Sequence, residues 1–133
     1  MINYFFDGIL NLLNFTTLLL MLFGVSWGIL AGALPGFGAA IAMALLIPFT
    51  FGINANVALP MLAAVYAGAI YGGSITAIMV GVPGTSSAAA TVADGFAMTQ
   101  KGESQKALTT SISASTIGGI FGGIVLLFFQ QQT

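Results

Sequence analysis

Two interruptions in an otherwise apolar chain gather the residue types best suited to holding a small ligand. The first is Gly32-Ala33-Leu34-Pro35-Gly36-Phe37-Gly38 and the second is Gly81-Val82-Pro83-Gly84-Thr85-Ser86-Ser87. Both run small, apolar, Pro-Gly, then small residues. Proline is accepted in the first turn of a helix and disrupts an interior, so each break closes one helix and opens another. A fresh helix start presents free N–H groups and about half a positive charge. Such ends bind anions without any Lys or Arg. Thr85, Ser86 and Ser87 add hydroxyls at the second break, with Ser74 and Thr76 nearby. Between the breaks lies Gly72-Gly73; if the helix unwinds there, its freed carbonyls can coordinate a cation such as Na⁺. The competing explanation is that both breaks are only kinks between packed helices.

Other chemistry is sparse. The chain has neither Cys nor His, which removes disulfides, thiolate metal sites and the usual nucleophile–base pairs. No metal-ligand spacing and no catalytic constellation is present, so an enzyme is not expected. Asp94 is either a carboxylate at membrane depth, available for proton or cation coupling, or a turn former in a loop with Gly95, Thr99, Gln100 and Lys101. Tyr66 and Tyr71 either hydrogen-bond a ligand or anchor packing. Two lysines and no arginine cannot build a phosphate footprint, which argues against nucleic acid.

The elements that position these residues are apolar helices. Of 133 residues, 58% are hydrophobic and 4% are charged. A soluble domain uses about a quarter of its residues as charges, so this chain reads as an all-α integral membrane protein. Residues 1–14 mix aromatics with Asn3, Asp7, Asn11 and Asn14, an interfacial lead-in to the membrane. Phe15–Leu34 is long enough to span, with Gly24, Gly28 and Gly32 on one face for close helix packing. A half-helix follows the first break, over about Ala39–Phe51, too short to cross unaided. Asn56 is placed to cap a helix opening at Val57, with Pro60 in its first turn. That helix either runs to Val82 as one kinked span or unwinds at Gly72-Gly73. Residues 94–106 carry every charge except Asp7 and read as an aqueous loop, with both lysines favouring the cytoplasmic side. A last span, Ala107–Phe129, opens with Thr109, Thr110, Ser111, Ser113 and Ser115. It then shows Gly118, Gly119, Gly122 and Gly123 in small-xxx-small pairs.

The ordered series G-A-L-P-G-F-G (32–38), A-M-A-L-L-I-P-F-T-F-G (42–52), Y-A-G-A-I-Y-G-G-S-I-T-A-I (66–78), V-P-G-T-S-S (82–87), D-G-F-A-M (94–98) and K-G-E-S-Q-K-A-L (101–108) resembles the large membrane subunit of the tripartite tricarboxylate transporter family. The resemblance implies a many-span bacterial inner-membrane permease that imports citrate-like tri- and dicarboxylates on a cation gradient, Na⁺ or H⁺. It implies two partners, a small membrane subunit and a periplasmic solute-binding protein. It carries the binding site to Pro35, Gly36, Gly38, Gly72, Gly73, Ser74, Pro83, Gly84 and Thr85, and Ser86 joins them as the next hydroxyl. No resident cofactor is implied.

The family's large subunit is several times longer, so residues 1–133 read as the N-terminal part of a permease. They would form one partial unit of an inverted-repeat transporter, with the polar Gln130–Thr133 ending marking a truncation. A small accessory protein assembling through its glycine faces is the alternative. A self-assembled pore is disfavoured by the lack of a charge ring at a span centre.

Overall fold

The computed structural model describes residues 2–130; Met1 and the ending 131–133 lie outside them. Among the described residues the chain forms seven α-helices and no strand. They are α1 (Ile2–Leu12), α2 (Phe15–Ala33), α3 (Gly38–Thr50), α4 (Ala55–Val80), α5 (Ala89–Thr91), α6 (Ala97–Gln100) and α7 (Ser104–Gln130). A 3-10 turn at Ser86–Ala88 precedes α5, and a π turn at Val92–Phe96 joins α5 to α6. The helices α2, α4 and α7 are long and apolar enough to cross a membrane. The all-α membrane class read from composition therefore holds. With 13 residues, α3 rises about 20 Å, short of a full hydrocarbon thickness.

The fold is organised by α2 against α4. Gly24, Gly28 and Gly32 of α2 lie over the carbonyls of Met61, Val65 and Ala69 of α4. Gly68 and Gly72 of α4 lie in turn over Val25 and Ile29 of α2. Each series advances by four residues on both helices, so the two run parallel, with α3 returning between them. In lipid no water is squeezed out when helices meet, so close backbone approach and dispersion carry the association. Interdigitated glycines give the closest approach available. Their joint is capped by a small core of Ala31, Ala42, Leu46, Met61, Val65 and Ala69, with Trp27 packed against it. The Trp27 indole N–H donates to the Ala42 carbonyl at 3.1 Å, tying α3 to α2.

Several local expectations shift. The first turn of α4 opens at Ala55 with Asn54 as its cap residue, two positions earlier than the reading that placed Asn56 as the cap. The Asn54 carbonyl receives the Val57 and Ala58 N–H groups, and no side chain caps this end. The earlier start moves Pro60 from the first turn into the second. Proline has no N–H to give the carbonyl four residues back. That carbonyl belongs to Asn56, and it accepts instead from the Asn11 side-chain amide at 3.1 Å. The defect in α4 is thereby the anchor for α1.

Continuity through Gly72-Gly73 resolves the two readings of α4 in favour of one unbroken helix, ending at Val80 with Gly81 as a left-handed cap. Two helical glycines cost roughly 1 kcal/mol each, whereas unwinding in lipid strands backbone groups at several kcal/mol apiece. Continuity is the smaller cost. Residues 94–106 also differ from the expected loop: only Lys101–Glu103 is non-helical. Gly95 has no side chain and lies directly on Ile78 of α4. Thr99 Oγ1 donates to the Ile78 carbonyl at 2.6 Å, which holds the segment down.

Candidate functional site

Because Gly32 sits opposite Ala69, the end of α2 at Ala33 lies level with Ile70 of α4. The last ten or so residues of α4 therefore outrun α2 by roughly 15 Å. The second Pro-Gly break fills the space this leaves. Gly84 rests on the Gly32 carbonyl and on the Gly73 Cα, where any Cβ would overlap both. The Gly84 N–H points at the Gly73 carbonyl, at a long 3.5 Å. Thr85 is buried against the bare face of Gly73, and its Oγ1 lies 3.1 Å from Ser87 Oγ. Thus α4, the second break and the last turn before the first break meet at one point.

The ten candidate residues divide on this geometry. Gly73, Gly84 and Thr85 are brought into contact, with Gly32 as their partner. Gly72 is buried but faces Ile29 of α2, so its missing side chain serves helix packing. Neither Gly72 nor Gly73 offers a carbonyl freed by unwinding, and the Gly73 carbonyl takes the Thr76 hydroxyl at 3.1 Å. Pro35 and Gly36 are exposed; Gly36, in the turn between α2 and α3, and Gly38, the first residue of α3, hold positive φ of 83° and 66°. Pro83 is half-buried and Ser86 is exposed beside the joint.

Ser74 faces elsewhere. It lines a cleft of about 430 Å³ between α4, the Ala90–Met98 segment and the first turns of α7. Polar residues on its wall are Ser74, Thr91, Asp94, Thr110, Ser111 and Ser115. Asp94 sits inside the π turn. Such wide turns strand one residue from the helical ladder and recur at functional positions. Among the described residues no group of His, Cys, Asp or Glu is clustered tightly enough to hold a metal by itself.

Residues 18–132 match the model of the tripartite tricarboxylate transporter TctA family. The chain belongs to that family. Among curated proteins, an uncharacterized 52.8 kDa protein of the TAR-I ttuC' 3'region of Agrobacterium vitis is 44% identical over 102 residues. That match covers 77% of this chain and 20% of the relative, so the chain spans a small part of the relative's length. No solved structure matches.

Within this TctA-family chain, the motifs that carried the resemblance are the ones that make the joint. G-A-L-P-G supplies Gly32, Y-G-G-S supplies Gly73, and V-P-G-T supplies Gly84 and Thr85. Sequence reasoning did not place Thr91, Thr110, Ser111 and Ser115 together. One signal was available: Ser111 and Ser115 are four apart, with Thr110 beside them, so all three share one side of α7.

Proposed function

We propose that this chain is the N-terminal part of the permease subunit of a tripartite carboxylate transporter in a bacterial inner membrane. In this reading it moves citrate-like tri- or dicarboxylates on an ion gradient. A small membrane subunit, a periplasmic solute-binding protein and the remainder of the permease complete the system. The observation that supports the site is the meeting of Gly84 and Thr85 with Gly32 and Gly73. It brings the second break against the helix end that leads into the first. Backbone N–H groups at such breaks and the Thr85 and Ser86 hydroxyls suit a carboxylate, which needs donors rather than bulk charge. The chain's scarcity of Lys and Arg leaves these donors as its anion ligands.

Thr85→Val tests this reading, since it keeps the shape and removes the hydroxyl. Uptake of labelled citrate-like acids is measured in vesicles carrying the full-length permease with its partners. The expected result is a fall of about tenfold in kcat/KM at normal membrane insertion, the scale of one lost polar contact to a charged ligand. Unchanged uptake would remove Thr85 from the site. Gly73→Val is the poorer probe, because its side chain collides with Thr85 and damages packing as well.

A further inference from the structure

We propose that the cleft around Asp94 is a binding site for a small monovalent cation of sodium type. Its wall offers one carboxylate and the hydroxyls of Ser74, Thr91, Thr110, Ser111 and Ser115. Neither lysine of the chain reaches it, and Asp94 has no cationic partner among the described residues. The hydroxyl protons are partly committed already. Thr110 Oγ1 donates to the Lys106 carbonyl at 2.8 Å and Ser74 Oγ to the Ile70 carbonyl at 3.4 Å. A hydroxyl that spends its proton on its own helix turns its lone pairs outward and behaves as an acceptor. Thr91, Ser111 and Ser115 have no hydrogen-bond partner among the described residues, so their oxygens are also free to ligate.

The ligand class follows from this donor set. All-oxygen ligation selects a hard cation over a soft metal. Ca²⁺ sites collect several carboxylates among six to eight oxygens, and Mg²⁺ holds its water shell. One carboxylate balances one positive charge. A carboxylate substrate is repelled by Asp94, so this cleft and the Gly84–Thr85 joint suit ligands of opposite sign. They are joined through α4, since Ser74 of the cleft follows Gly73 of the joint. Occupancy of one is therefore placed to bias the other. Service as the driving-ion site rests on the transport reading above; cation binding itself does not.

The test is direct binding of radioactive sodium to the full-length permease purified in detergent, with choline replacing sodium as the control. Saturable binding is expected, weakened about tenfold or more by Asp94→Asn, the scale of losing a group that supports a metal ion. The double variant Ser111→Ala/Ser115→Ala should weaken it about threefold. Both serines lie on a part of α7 with little packed against it, so this variant decides the matter if Asp94→Asn loses its helical circular dichroism. No saturable binding above choline, or wild-type affinity in the well-folded variants, overturns the proposal. Either result is independent of the Thr85→Val uptake experiment, so the two readings fail separately.

Discussion

The glycines of α2 and those of α7 share a spacing and meet opposite surroundings. Gly24, Gly28 and Gly32 are buried, and a Cβ on any of them would strike the α4 backbone. Gly118, Gly119, Gly122 and Gly123 have open space where a Cβ would stand. On α7 only Ala107, near its start, is buried. Small-xxx-small spacing is thus permission for a helix to approach. What uses the permission is decided by the rest of the fold. On α2 the partner is α4, whose own glycines at 68 and 72 return the contact, and that reciprocity sets the register.

The same substitution at both places separates them most sharply. Gly28→Leu drives a side chain into the Val65 carbonyl, which is backbone and cannot swing away. A loss of about 3 kcal/mol is expected, the upper end of overpacking costs. Denaturant titration in micelles, followed by the fluorescence of the single tryptophan, Trp27, measures it. Gly119→Leu should instead leave stability level or raise it by up to about 1 kcal/mol through helix propensity. Equal losses at the two sites would mean that α7 is already packed along its length, and the contrast would collapse.

A smaller effect tests how the charged segment is held. Thr99→Val removes the hydroxyl that reaches the Ile78 carbonyl and should cost about 1 kcal/mol. The readout is hydrogen exchange, with faster exchange confined to residues 92–103 while α2 and α4 keep their protection. Uniform loosening of all three regions would show that this segment is part of the α2–α4 unit rather than a flap resting on it.

Much of this architecture was legible in the residues. Apolar run lengths marked α2 and α7 as spans, and the Pro-Gly breaks marked where α2 and α4 stop. The short α3 followed from the distance between Pro35 and Gly52. Where the reading stayed open or missed, a competing energy lay outside the local window. Whether the helix unwinds at Gly72-Gly73 stayed open, and the cost of stranded backbone in lipid keeps it helical. Asp94–Lys106 looked like a loop because charges and turn formers prefer water. Contact of Gly95 and Thr99 with Ile78 folded most of it onto α4 instead.

By itself the sequence determined the membrane class, the helix breaks and the residues able to make close contacts or donate hydroxyls, because these depend on local composition and backbone stereochemistry. Only the tertiary structure decided which glycines touch. It set α2 and α4 parallel and let α4 outrun its partner, which left room for Gly84 and Thr85 to settle on Gly73. It also drew Asp94 and the α7 hydroxyls around one cleft. Those outcomes depend on helix register, and register is set by contacts between residues far apart in the chain.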